Sequence, residues 1–514
     1  VKKVINYGTF EKGTVILLLL FGIIVRCYKF GAIPGGLNQD EAFSAYEAYS
    51  LLHYGMDSSG YAFPVYFNAW GSGMSCLNSY LMIPFLAFFG CQDWVVRLPQ
   101  LIVSCFTLYV FYRLIRTVFG ARAGLIGLLF LSICPWHFMI SRWGLDCNLA
   151  PGFLLFGFFF FIRGIEHSKY LILSALFYGL CLYCYAMVWP VMPLMLILQT
   201  GYLFYVRNIR LDRYVGIAVG LLGLLALPLI VFLLVNVGFM EEIRTPIFSI
   251  PRLTAMRGNE ISFKNISDNL KNFLTVLYKQ NDGLYVNAPN DFGIYYRWTP
   301  VFAMLGIFYS ILRLWKSLKE RIFDMPVLLL IPFFCEILLG CIVKINISRI
   351  NCIHLFIIAF IVMGMELVIR GFGKYSNYIW VLSMCMLLVC FNDYRKFYFR
   401  TYGPNLGVIF KSGVEDSVNY ALEMAEDKEI YVETSFAYSQ VLFYAQFPVT
   451  EYRDTVVYTN YPSEFLDVDS FGPFHMGFED AVQGNIYIIY EDSIQRFLEN
   501  GWNIERFGYT AVAY

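Results

Sequence analysis

The chain has 514 residues, of which 58% are hydrophobic, 19% aromatic and only 15% charged, a balance that excludes a soluble enzyme of this size. Its formal net charge is zero, which offers nothing to a nucleic acid, yet the charge is unevenly placed: residues 401–514 hold five lysines and arginines against eighteen acids. Lipid is therefore the solvent for most of the chain, and an acidic tail follows a basic remainder.

The first apolar run, near 13–30, follows Lys2 and Lys3, has no small-residue cleavage site and reads as an uncleaved anchor. The segment 31–94 comes next. It opens with Asn38-Gln39-Asp40-Glu41, continues as an amphipathic helix to about His53, and becomes aromatic from Tyr61 to Trp70. Leu77–Gly90 is apolar but short and broken by Pro84, so a re-entrant or interfacial helix is expected there. Runs long enough to cross about 30 Å of hydrocarbon follow near 95–117, 122–142, 148–163, 170–188, 189–206, 214–236, 298–315, 325–343, 351–369 and 377–392. With the first, that makes about eleven spans. Between 237 and 297, Ile266, Leu270, Phe273, Leu274 and Leu277 share one helical face, with Ser267 or Asp268 as its cap. The tail predicts a helix over Val414–Asp427, strands at Glu429–Glu433 and Asn485–Tyr490, and a closing strand in Phe507–Tyr514. The expected organisation is a mainly α polytopic membrane domain, 1–395, with outer loops 31–94 and 237–297, and a small soluble α/β domain, 396–514. Most of the thirteen cysteines sit inside apolar runs, and no paired C-x-x-C or alternating Cys and His pattern marks a disulfide framework or a metal cluster.

Lysine and arginine set the orientation. Arg113, Arg116 and Arg122; Arg163 and Lys169; Arg207, Arg210 and Arg213; Lys316, Lys319 and Arg321; and Arg370 and Lys374 occupy alternate loops. A cytoplasmic N-terminus places them all inside, at a plasma (inner) membrane, and sends the tail outside.

The polar residues inside or beside apolar runs then gather on the outer face. Asp40 and Glu41 follow the first span, Arg97 opens the second, and Arg142 and Asp146 lie in the polar stretch Ser141–Asn148. Asn346, Arg349 and Asn351 form the turn between the ninth and tenth spans, and Glu336 lies within the ninth, where a carboxylate usually faces a polar cavity. An outer site has no nucleotide sugars, so a group-transfer enzyme there needs a donor carried on lipid, of which a polyprenyl-phosphate sugar is the obvious kind. Its phosphate leaves as an anion and calls for guanidinium forks, for which Arg97, Arg349 and Arg142 are the candidates. The attacking hydroxyl needs a base, for which Asp40 is the candidate, with Glu41 and Asp146 beside it. Asn346, Asn351 and Glu336 are expected to touch substrate. Simpler roles compete: Asp40 as the N-cap of the helix after it, and Arg97 and Arg349 as snorkelling arginines.

One N-terminal span, an outer loop opening with Asp40-Glu41, an Arg-x-Pro start to the second span (Arg97 to Pro99) and a second acid, Asp146, after the third span resemble the GT-C glycosyltransferases. Over residues 10–395 the chain is similar to bacterial family 39 members, the protein O-mannosyltransferase and lipid A aminoarabinose transferase group. The resemblance implies an inverting displacement with Asp40 as general base, Asp146 as the second-loop acid and Arg97 on the donor phosphate. It also implies a cell-envelope glycan, lipid or protein as acceptor. Where the aminoarabinose transferases carry Lys-Pro-Pro, this chain has Gly71-Ser72-Gly73-Met74-Ser75. Some GT-C relatives hold a divalent cation; with arginines to meet the charge, no cofactor is expected here. The rival readings are a transporter or flippase of lipid-linked sugars, which would show paired repeats and a midplane site, and a non-catalytic scaffold displaying the tail.

Overall fold

The computed structural model describes residues 7–256, 264–426 and 428–514; Lys2, Lys3, the part 257–263 of the second outer loop and Asp427, where the predicted tail helix ends, lie outside these. The chain opens with α1 (Tyr7–Cys27), α2 (Gln39–Tyr54) and α3 (Leu77–Phe89). Then come α4 (Asp93–Phe119), α5 (Ala121–Ile133), α6 (Pro135–Ile140), α7 (Asp146–Glu166), α8 (Tyr170–Cys181), α9 (Val188–Tyr205) and α10 (Arg213–Asn236). A short antiparallel pair, β1 (Ile243–Arg244) and β2 (Ser249–Ile250), precedes α11 (Ile266–Lys279). The bundle closes with α12 (Pro300–Glu320), α13 (Met325–Ile342), α14 (Ile353–Gly371) and α15 (Ser376–Phe397), and α16 (Gly403–Ile409) leads into the tail.

Eight segments among the described residues are long and apolar enough to cross a membrane: α4, α7, α9, α10, α12, α13, α14 and the stretch 373–425 that contains α15. Helices α1, α5 and α8 coincide in order with the remaining three predicted spans, but α5, with 13 residues, and α8, with 12, are too short to cross as single helices. The run 122–142 divides at Cys134, whose extended backbone (φ −60°, ψ 125°) is what the following Pro135 demands. The run 170–188 stops being helical at Cys181, leaving α8 with 12 residues. The 13 residues of α3 span about 20 Å, too little to cross, as its length and Pro84 led one to expect. In α11 the apolar face is used only in part: Phe273 and Val276 are buried, Leu274 and Ile266 are exposed, and Asn265 rather than Ser267 or Asp268 stands at the N-cap position.

Opposite ends of the bundle differ in chemistry. At one end the basic loops meet: Arg122 and Arg370 both bind Glu366, at 3.0 and 2.8 Å, and Arg370 also reaches the carbonyl of Phe119 at 2.9 Å. At the other end lie Asp40, Asp146, Asn148 and Asn351. Between them, α12 and α14 cross closely at Gly306 and Gly364, each facing the carbonyl of a phenylalanine, Phe360 or Phe302, where a Cβ would clash.

The tail contains α17 (Val414–Ala425), β3 (Ile430–Val432), α18 (Tyr438–Tyr444), α19 (Val449–Thr455), β4 (Val457–Tyr458), β5 (Val468–Phe471), β6 (Phe474–Met476), β7 (Ile486–Tyr490), α20 (Glu491–Glu499), β8 (Ile504–Phe507) and β9 (Thr510–Ala513). Its sheet runs β4-β5-β6-β3-β7-β9-β8, with β3 parallel to both neighbours and a β8–β9 hairpin at one edge. The apolar side of this sheet does not close on itself. Val418, Val441, Leu442, Phe443 and Ile488 pack in one cluster with Leu37, Ala45 and Tyr46 of the first outer segment and Met82 of α3.

Candidate active site

Helix α2 carries the first candidates, and its start explains their roles. Asn38 is the N-cap: its side chain accepts from the Asp40 amide at 2.9 Å, and Glu41 returns the favour to the Asn38 amide at 3.0 Å. Asp40 is therefore not the cap. Half-buried on the first turn, it lies close enough to Asp146, Cys147 and Tyr438 for its charge to act on all three. Asp146, the first residue of α7, accepts from its neighbour's amide, Cys147, at 2.6 Å and from the Ser75 amide of the first outer segment. The structure thus brings together the two acids that lie more than a hundred positions apart in sequence.

Glu41, Arg97 and Arg142 are brought to the same region but turned inward, which corrects the expectation that they meet substrate. Arg97 is wholly buried and binds both oxygens of Glu41, at 2.9 and 3.0 Å, while its remaining nitrogens reach the carbonyls of Pro34 and Gly36 at 2.6 Å. Glu41 also accepts from the Gly144 amide at 2.6 Å. This bidentate pair ties the loop before α2, the start of α4 and the loop before α7 into one unit. Arg142 spends its donors on the carbonyls of Arg26, Lys29 and Ile33 and stacks against Phe138, Tyr398 and Phe399. Neither guanidinium has a face left for a phosphate.

The turn between α13 and α14 also works largely as structure. Asn351 accepts from the Trp136 indole at 2.8 Å and donates to the Cys147 carbonyl and Asn148, so it braces the start of α7 rather than reaching outward. Asn346 takes the Arg349 amide at 2.8 Å, and the Arg349 guanidinium donates to the Lys344 carbonyl. Glu336 is buried in α13, in the neighbourhood of Cys181 and Cys352. Among the described residues no group of three or more His, Cys, Asp or Glu side chains could hold a metal ion.

What sequence reading missed is a polar cleft of about 560 Å³ between the first outer segment, the stretch that carries β1 and β2, and the tail, one of whose walls, Tyr438, lies within reach of the Asp40 charge. Phe43, one helical turn after Asp40, and Trp70 line it from one side, Arg244 and Arg252 from the second, and Tyr438 and Arg453 from the tail. Trp70 packs edge-on against Tyr438 at 4.8 Å and holds a left-handed backbone (φ 54°) that aromatic residues rarely adopt. Arg244 lies over the Tyr61 ring at 4.1 Å, paired with Glu242 at 2.7 Å. Arg453 rests on Gly60, whose positive φ of 81° and lack of a Cβ make room for the guanidinium. Behind the cleft, Glu47 and Asp57 are buried. Glu47 accepts from the Ser58 amide at 2.8 Å and from its hydroxyl, and Asp57 accepts from the amides of Ser59 and Tyr61 at 3.0 and 2.7 Å. Burial pushes Asp57 up to about 7, and burial with the nearby Asp57 charge raises Glu47 well above the ordinary carboxylate range. The sequence signal was present only in retrospect, as three arginines in segments with no shared motif.

A family model described as dolichyl-phosphate-mannose-protein mannosyltransferase matches residues 75–234. No match is found among curated protein sequences. Among solved structures, the chain is similar to ArnT from Cupriavidus metallidurans bound to undecaprenyl phosphate, with a TM-score of 0.59 at 14% identity over 98% of both chains. It also resembles the oligosaccharyltransferase of Archaeoglobus fulgidus in its apo form, with a TM-score of 0.52 at 13% identity over 87% of this chain and 64% of that one. The chain therefore has the membrane-enzyme fold that its sequence led one to expect, and the likeness runs past residues 10–395 into the tail, which the sequence had left outside it.

Proposed function

We propose that this protein is a membrane glycosyltransferase that moves a sugar from a polyprenyl-phosphate carrier to an acceptor hydroxyl on the outer face, with Asp40 as general base. The observation that carries the reading is the pairing of Asp40 with Asp146, with Asp40 within charge reach of Tyr438 in the wall of a polar cleft that holds three arginines, on a fold shared with a structure that holds undecaprenyl phosphate. The acceptor oxygen attacks the anomeric carbon while the bond from that carbon to the phosphate oxygen breaks, and the hydroxyl proton passes to Asp40. Asp146, pinned by two amides, holds a second carboxyl within reach of the Asp40 charge. The leaving phosphate is met by Arg244 at the end of β1 and Arg252 just after β2, in place of the buried Arg97. Displacement in one step inverts the anomeric centre. The basic end of the bundle faces the cytoplasm and the cleft faces outward, at the plasma (inner) membrane, by the same lysine and arginine bias. The acceptor is an envelope glycan, lipid or protein.

In proteoliposomes with a labelled polyprenyl-phosphate sugar, Asp40→Asn is expected to lose transfer by about 10²–10⁴-fold while still binding the donor. Arg244→Ala and Arg252→Ala are expected to raise the donor KM. Undiminished turnover by the Asn variant would remove Asp40 from the chemistry, and a flippase would go on moving the carrier across the bilayer with Asp40 replaced.

A further inference from the structure

Another cavity lies at the opposite end of the bundle and has a different character. It is a slot of about 200 Å³ between α7, α8, α9 and α10, lined by Phe161, Tyr178, Leu196, Leu203, Ala218 and Leu222. Phe161 stands fifteen residues after Asp146 on α7, about 22 Å along the axis, so the slot opens on the membrane face away from the cleft. Its walls are mainly hydrocarbon, the polar groups being Ser174, Thr200 and the Tyr178 hydroxyl, on a side chain that is 1% exposed and lies beside Gln199. At the mouth the chemistry changes. Ser168, Asn208 and Arg210 line the rim, and Lys169, Arg207 and Arg213 are exposed in the same two loops. The acids nearby are spent, since Glu166 pairs with Arg163 at 3.1 Å and Asp212 caps α10 and accepts from Ser168.

We infer that this slot seats one acyl chain of an anionic phospholipid drawn from the membrane leaflet opposite Asp40, with its phosphodiester held at Arg210. The apolar walls suit a hydrocarbon chain, and the unmatched basic rim selects a negative headgroup. This site is separate from the proposed catalytic cleft and its failure leaves that proposal untouched.

Native mass spectrometry of the full chain, released from micelles with added phosphatidylglycerol or phosphatidylcholine of identical acyl chains, tests the inference. One phosphatidylglycerol is expected to remain bound at collision energies that strip phosphatidylcholine. Its retention is expected to fall about fivefold in Arg210→Gln, the factor that corresponds to about 1 kcal/mol per basic residue near a membrane surface. Ala218→Trp, which fills the slot, is expected to abolish retention. Equal retention of the two lipids, or unchanged retention of phosphatidylglycerol in Arg210→Gln, overturns the inference. Arg210 is an exposed loop residue, so its variant reads out whether or not the Ala218 variant folds.

Discussion

At the residue scale, neighbouring side chains of like charge do opposite jobs. Asp40 and Glu41 stand side by side, yet the helix turn aims Glu41 into protein, where it meets Arg97, and Asp40 towards Asp146 and Tyr438. Sequence alone offered Asp40 as the cap, because Asp is a good one; Asn38, two positions earlier, takes that place. The buried pair makes a prediction of its own. Arg97→Ala leaves Glu41 charged and wholly buried, so it is expected to cost about 3–5 kcal/mol of stability. The check is a lowered thermal midpoint and lost monodispersity rather than a changed donor KM in folded protein. Asp57 makes another. Its folded-state proton affinity exceeds the unfolded one, so its contribution is complete at low pH and is lost as pH rises from about 4 towards about 7. Asp57→Asn keeps an acceptor for the Ser59 and Tyr61 amides and cannot ionise. Its thermal midpoint is expected to vary less across that window than the parent's and to equal or exceed it at pH 7.

At the scale of elements, the apolar runs were readable because lipid imposes one length and one composition on every crossing helix. Where the reading overshot, a local backbone rule intervened, as at Pro135, which ends α5 although the run of apolar residues continues to Ile140. Helix contacts were not readable in the same way. In α12 and α14 the spacing is identical, Phe302 to Gly306 and Phe360 to Gly364, and each glycine admits the other helix's backbone. Replacing Gly364 by Leu forces the pair apart and is expected to cost about 1–3 kcal/mol, as overpacking does. Thermal unfolding in detergent checks this, with Gly371→Leu, a position with open space around it, as the near-neutral comparison.

At the scale of the whole molecule, the tail and the first outer segment form one packed body. Tyr46 and Tyr49 of α2 donate to the Phe447 and Gln446 carbonyls at 2.9 Å, Tyr444 donates to Asp93 at 2.7 Å, and Gln440 donates to the Leu37 carbonyl at 2.7 Å. The cleft therefore has a tail wall, and damage to the tail should reach α2. Val441→Asp buries a charge between α18 and α2; it is expected to raise amide exchange in α2 as well as in β3 and β7, and to abolish sugar transfer. Exchange rising in the tail alone would separate the two. Composition, run length and charge bias by themselves determined that the chain lives in lipid, the order of its apolar helices, and that Asp40 and Asp146 share an end, because these follow from the solvent and from alternation along the chain. Which carboxylate is locked in an ion pair, which arginines are struts and which line the cleft, and that the tail walls that cleft were decided only by tertiary structure. Those outcomes depend on which distant side chain supplies a hydrogen bond, and a linear sequence carries no record of such partners.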